Sequence, residues 1–266
     1  GDAAGGGAYG ISVPEPTLLE NREAVLLLHG VDAGEDEMAD LRDALREAGH
    51  TVWMFRYPND QAIARSADLL AADLRRLREA HGEFRLRIVA HSMGGLVARA
   101  ALEEDGRVGG DVACLVQIAP PNHGADLARL RVVLDLVEHA DAEGVRGRLA
   151  AAVGDGLGHA GDDLLPGSPF LERLNALPRR TGVRYAVVAG TRALLAPEDA
   201  AAAAAALARR AGESRSLQAA LLRRAAEEIA AMEEIRHGAG DLVVSVHSAQ
   251  LEGVDRFDLV EANHLQ

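Results

Sequence analysis

Residues Ala90-His91-Ser92-Met93-Gly94-Gly95 set a serine among small neighbours, directly after an apolar run and directly before a helical pattern. A serine hydroxyl is a weak nucleophile until a base takes its proton and dipoles hold the oxyanion that forms. A sharp strand-to-helix turn answers the geometric half of that need. Small flanking residues let the chain reverse and lift the hydroxyl above the edge of a sheet. The helix starting behind the serine adds the positive end of its dipole. Ala90 stands where Gly is commoner in this small-x-Ser-x-Gly pattern, and a methyl group fits the same turn. The plainer reading of Ser92 is an ordinary helix N-cap. The base for such a serine is a histidine, whose pKa lies near neutral pH, and the chain holds ten.

The elements around this turn read as alternating strands and helices. Ala24–Leu28 is wholly apolar and runs into His29-Gly30, as a buried parallel strand runs into a loop. Residues 35–48 carry Met38, Leu41, Leu45 and Ala48 on one helical face, with Gly49 at the C-terminal end. Thr51–Phe55 reads as a second strand, and residues 61–80 as a helix with Ile63, Ala67, Leu70, Leu74 and Leu77 at helical spacing. Leu86–Ala90 leads into Ser92 and a helix to about Leu102, and Val112–Ile118, Val183–Val188 and Phe257–Val260 read as further strands. The pattern predicts an α/β fold, a mainly parallel sheet flanked by helices, whose ligands sit beyond the carboxyl ends of the strands. Two stretches break the alternation, at about 125–180 and 191–238; the second contains the run Ala200–Ala206 and is helical in composition. Both follow strands on the functional edge and are expected to be cap-like insertions. Residues 1–21, opening on a Gly-rich stretch, are expected to be a flexible segment ahead of one domain spanning 22–266.

The run AHSMGG, together with LLLHG upstream, resembles the bacterial lipases and lipase-like esterases of the α/β-hydrolase superfamily. Ala119–Asp126 (APPNHGAD) resembles the segment these proteins carry after the next strand, Gly240–Ser245 (GDLVVS) their acid loop, and Ala262–Leu265 (ANHL) their histidine segment. The resemblance spans about 22–266, except inside the two insertions, and implies an α/β-hydrolase fold. Its chain order of Ser, acid, His implies Asp241 as the acid and His264 as the base. His247 lies too close behind the acid loop, and Asp255 and Asp258 are the fallback acids. Leu242 replaces the Gly usual after the acid. An isolated Asp in such a place is also compatible with a cap or a solvated turn. The oxyanion hole implied by the resemblance consists of the backbone N–H groups of Val31 and Met93. His29 is expected to brace its loop, and His123 to pack near the site.

Composition narrows the classes. With 266 residues, 48% of them hydrophobic and 26% charged, the chain suits one sizeable α/β domain. A net charge of −13, with arginines scattered among acidic residues and no lysine, argues against a nucleic-acid partner. Cys114 has no second cysteine to pair with and reads as a small buried hydrophobe. No His/Cys/Asp/Glu group has metal-site spacing, so neither a metal nor another cofactor is expected. No run is long and apolar enough to span a membrane. No secretory signal is present, but the chain opens at Gly1 without a Met, as a processed or engineered end does, so its start says little about targeting; the compartment stays open between secreted and cytoplasmic, with a slight lean to secreted. The expectation is a serine esterase or lipase acting on a small-molecule or lipid ester, in transient contact with a lipid interface and without an obligate protein partner. The alternatives are a thioesterase or acyltransferase with the same triad, and a non-catalytic binding protein of the same fold.

Overall fold

The computed structural model describes residues 9–13, 22–31, 35–58, 61–104, 112–125, 160–192, 197–214, 216–231, 240–241 and 243–264. Seven strands form one sheet in the order β1-β3-β2-β4-β5-β6-β7. They are β1 (Gly10–Ser12), β2 (Glu23–Leu28), β3 (Val52–Arg56), β4 (Arg85–His91), β5 (Val112–Ile118), β6 (Arg184–Gly190) and β7 (Arg256–Val260). Every neighbouring pair is parallel except β1–β3. The interior strand β2 buries five consecutive apolar residues, Ala24 to Leu28, as a strand covered on both faces must.

The sheet faces are covered unequally. Helices α2 (Ile63–His81) and α3 (Met93–Glu103) lie over one face, where Leu70, Leu74, Leu96 and Val97 pack with Leu26, Ile88 and Leu115. Helix α1 (Ala39–Glu47) lies on the other face over a smaller cluster of Val25, Leu27, Val52 and Met54. The side chains of β4, β5 and β6 alternate accordingly: Ile88, Leu115 and Val187 are buried, whereas Val89, Val116 and Val188 on the opposite face are half-buried.

The structure departs from the sequence reading in two places. The segment 35–48 splits into a 3-10 turn at Glu35–Met38 and helix α1. Residues 10–12, inside the segment expected to be flexible, form β1; Ile11 N donates to the buried Asp73 of α2 at 2.7 Å. Residues 1–8 and 14–21 lie outside the described residues. The run Val243–Ser245 is a turn, closed by a bridge between Gly240 and Ser245, and leads into the short helix Val246–Ala249.

Most of the first insertion, residues 126–159, lies outside the described residues. Its remainder holds α4 (Ala160–Asp163) and α5 (Pro169–Asn175). Asp163 accepts from Ile63 N at 2.9 Å and so caps α2, whose own N-cap residue, Ala62, has no side chain for the task. In the second insertion, α6 (Pro197–Ala211) and α7 (Leu217–Ala231) pack on each other, and 193–196 and 232–239 lie outside the described residues.

Arg99 of α3 is fully buried and anchors the segment after β5. It pairs with Glu103 at 3.1 Å, donates to Asn122 and Asn175 at 2.9 Å each, and reaches Leu174 O. Asn122 in turn donates to Ala249 O at 3.0 Å. One guanidinium therefore joins α3, α5 and the 119–125 segment. Arg99→Leu takes this donor from Asn175 Oδ1 and Leu174 O and leaves the buried Glu103 with Arg179 alone, and a loss of about 3–5 kcal/mol is expected. Urea unfolding would read it as a lower midpoint with an unchanged slope.

Candidate active site

Ser92 sits at the end of β4 with φ 50° and ψ −126°, a region a residue with a Cβ seldom occupies. The strand and helix on either side hold it there, and Ser92 N donates to Ile118 O at 2.8 Å. The turn brings α3 against the end of β2: a Cβ on Gly94 would lie 2.5 Å from His29 O. Met93 is the first residue of α3, so its N–H is among the donors a helix leaves without internal partners.

Asp241 follows the bridge residue Gly240 and is buried. Its Oδ1 accepts from Val243 N and Val244 N at 3.1 and 2.8 Å. Its Oδ2 lies 2.9 Å from His264 Nδ1. The other ring nitrogen, Nε2, lies 2.9 Å from Ser92 Oγ. Since the carboxylate only accepts, Nδ1–H donates to it and Nε2 accepts from the serine hydroxyl. His264 N also donates to Asp241 O at 3.0 Å, which ties the two loops by backbone as well as side chain. The end of β6 fits tightly between them, because a Cβ on Gly190 would meet Ala262 O at 2.6 Å and Asp241 Cβ at 2.7 Å. The structure thus brings Ser92, His264 and Asp241 into one hydrogen-bonded line.

A family profile described as alpha/beta hydrolase fold matches residues 23–143. Among solved structures, the chain is similar to a Bacillus licheniformis lipase in its mature form, at 18% identity and a TM-score of 0.64 over 97% of this chain and 91% of that one. Lipase 1 of Pelosinus fermentans matches at 14% identity and TM-score 0.54, covering 92% of this chain and 93% of its own. EstA of Clostridium botulinum matches at 14% and 0.54, covering 97% and 86%. No curated protein matches the sequence significantly. The chain has the α/β-hydrolase fold.

The other candidates of this chain fall outside the Ser–His–Asp line. His247 stacks on His123, ring centroids 6.1 Å apart, and Asn175 lies 3.4 Å from His123 Nδ1. Burial holds the His123 imidazole below its ordinary pKa, with His247 adding to the effect. Asp255 accepts from Tyr185 N, and Asp258 pairs with Arg256. His29 stacks on Tyr57 at 4.3 Å, and the Tyr57 hydroxyl donates to His29 O, so this residue braces its loop. Val31, half-buried, follows Gly30 on that loop. Leu242 lies outside the described residues. Among the described residues, no cluster of three His, Cys, Asp or Glu side chains is placed to hold a metal ion.

Two residues the sequence reading passed over stand beside the line. His91, next to the nucleophile, contacts Glu37 through Nδ1 at 3.1 Å and His264 O through Nε2 at 3.0 Å. Glu37 also accepts from Gly30 N at 2.8 Å. A polar residue ending an apolar strand was the one available signal for His91; Glu37 gave none. Both line a cavity of about 300 Å³ with Asp241, His264, Ile118 and Val188, while Ser92 is not among its lining residues.

The tight fit at Gly94 yields a test of the turn. Gly94→Ala forces a methyl group against a backbone oxygen that has little room to yield, and about 1–3 kcal/mol of stability should be lost. Thermal unfolding measures it; an unchanged midpoint would mean that α3 does not approach His29 this closely.

Proposed function

We propose that the protein is a serine carboxylic-ester hydrolase working through an acyl-enzyme. The observation that carries this reading is the pair of 2.9 Å contacts, Ser92 Oγ to His264 Nε2 and His264 Nδ1 to Asp241 Oδ2. Ser92 Oγ attacks the ester carbonyl carbon as its proton passes to His264 Nε2. Asp241 keeps Nδ1 protonated, which leaves Nε2 free to accept, and stabilises the imidazolium that forms. The N–H groups of Val31 and Met93 hold the developing oxyanion. Collapse of the tetrahedral species breaks the bond to the leaving alcohol, which takes the proton from Nε2. Water, deprotonated by the same nitrogen, then attacks the acyl carbon; the bond to Ser92 Oγ breaks, Oγ takes the proton back from Nε2, and the acid is released.

The substrate proposed is an apolar acyl ester, met in transient contact with a lipid interface. Its support is the motif resemblance and the likeness in fold to proteins named as lipases. Two measurements test both levels. Ser92→Ala should lower p-nitrophenyl butyrate hydrolysis by ~10⁴-fold or more and Asp241→Asn by a comparable factor, with thermal unfolding little changed. An unaltered rate in either variant would remove the mechanism. Turnover of p-nitrophenyl palmitate and of an acyl-CoA, measured beside the butyrate ester, should favour the oxygen esters; a preference for the thioester would reassign the substrate class.

A further inference from the structure

His91 stands between two groups that only accept hydrogen bonds. Its Nδ1 faces the Glu37 carboxylate at 3.1 Å, and its Nε2 faces the backbone carbonyl of His264 at 3.0 Å. A neutral imidazole has one N–H and satisfies one of these partners; the doubly protonated ring satisfies both. Burial is substantial on each side, the side chains being 11% exposed for His91 and 23% for Glu37. Glu37 uses its second oxygen to accept from Gly30 N at 2.8 Å. A continuous path of hydrogen bonds therefore runs from the loop after β2, through Glu37 and His91, to the loop after β7.

These two loops bear separate duties in the reading above. One carries Gly30 and Val31 beside the nucleophile; the other carries His264. The first loop packs closely on the nucleophile turn, since a Cβ on Gly30 would lie 3.1 Å from Ser92 Cβ and 3.2 Å from His91 Nδ1. Neither loop hydrogen-bonds directly to the other through Glu37 alone: the carboxylate reaches Gly30, and only the imidazole extends the tie to His264.

We propose that Glu37 and His91 form a carboxylate–imidazolium pair that positions the oxyanion loop against the histidine loop on either side of Ser92. This rests on the serine-hydrolase reading for its effect on turnover, though not for the pair itself. The charged and titratable groups around His91 are Glu37 on the 3-10 turn, Asp40 of α1 on the same cavity, and Asp241 and His264 on the loops; His29 lies near Glu37. Burial, the largest influence, raises the Glu37 pKa, yet the hydrogen bond and charge of His91, with the Gly30 N–H, bring it below the ordinary carboxylate value.

The decisive variant is Glu37→Gln. Its amide oxygen can still accept from Gly30 N–H, and its NH₂ can donate to an unprotonated His91 Nδ1, leaving Nε2–H for His264 O. Every hydrogen bond survives while the ion pair is removed. Glu37→Ala breaks the path. Nitrogen NMR of histidine-labelled protein at about pH 7, with His91 assigned by its loss in His91→Gln, should show both ring nitrogens protonated in the wild type and one in Glu37→Gln. A single protonated nitrogen in the wild type overturns the ion pair. With p-nitrophenyl butyrate, Glu37→Ala and His91→Ala should lose ~10–100-fold in kcat with KM little changed, and Glu37→Gln should recover most of the loss. Full activity of Glu37→Ala, or a Glu37→Gln as impaired as Glu37→Ala, overturns the positioning role. Absence of ester turnover in the wild type would strike the functional reading instead, and the NMR result would still decide the pair.

Discussion

The backbone of Ser92 is held in the left-handed region, φ 50° and ψ −126°, at a cost of about 1–3 kcal/mol for a residue with a side chain. That conformation persists because both flanks are fixed more strongly than the turn resists. Upstream, β4 lies between β2 and β5 in register, Leu28 against Ala90 and His91 against Ile118. Downstream, all eleven residues of α3 are buried. The sheet and helix together impose a reversal that the intervening residue cannot relax, and the reversal exposes the hydroxyl to His264. A strained residue at a strand–helix junction is thus a consequence of core packing on each side of it.

The same logic extends to the other two members of the line. Asp241 and His264 lie 23 residues apart, yet their loops meet at the end of β6, where Gly190 leaves no room for a side chain. β6 is paired through Gly190↔Val260 with β7, the strand that delivers His264. Distances of 2.9 Å on both ring nitrogens therefore follow from strand register plus one close approach. The carboxylate is oriented by its own turn: two backbone N–H groups occupy Oδ1 and leave Oδ2 for the imidazole.

What was legible in the sequence follows from how local each signal is. Ser92 could be found because its strand, turn and helix are contiguous and differ in period. His264 and Asp241 carry no such local signature, and only chain order within a resembled family singled them out from other histidines and aspartates. β1 was missed because three residues, Gly-Ile-Ser, show no alternation, and its stability comes from pairing with β3 and from Asp73. The cap that Asp163 provides for α2 joins residues 100 apart, the Arg99–Asn122 contact joins residues 23 apart, and Glu37–His91 spans 54. Single polar side chains meeting over such separations leave no periodicity to read. The long-range polar contacts were accordingly the part of the site hidden until the chain was folded.

The second insertion obeys different physics from the sheet. Leu207 and Ala211 of α6 are buried, as are Ala219, Leu222, Ala225 and Ile229 of α7, and the two helices pack chiefly on each other. An alanine-rich helix needs little from its surroundings, because Ala carries almost no side-chain entropy to lose on folding. A hairpin that satisfies its own apolar stripe can change in length or surface without disturbing the registers β4–β5 and β6–β7 on which the Ser–His–Asp line rests. The geometry that lines up Ser92, His264 and Asp241 is then mechanically separable from this hairpin, the first locked by a shared sheet and the second packed chiefly on itself.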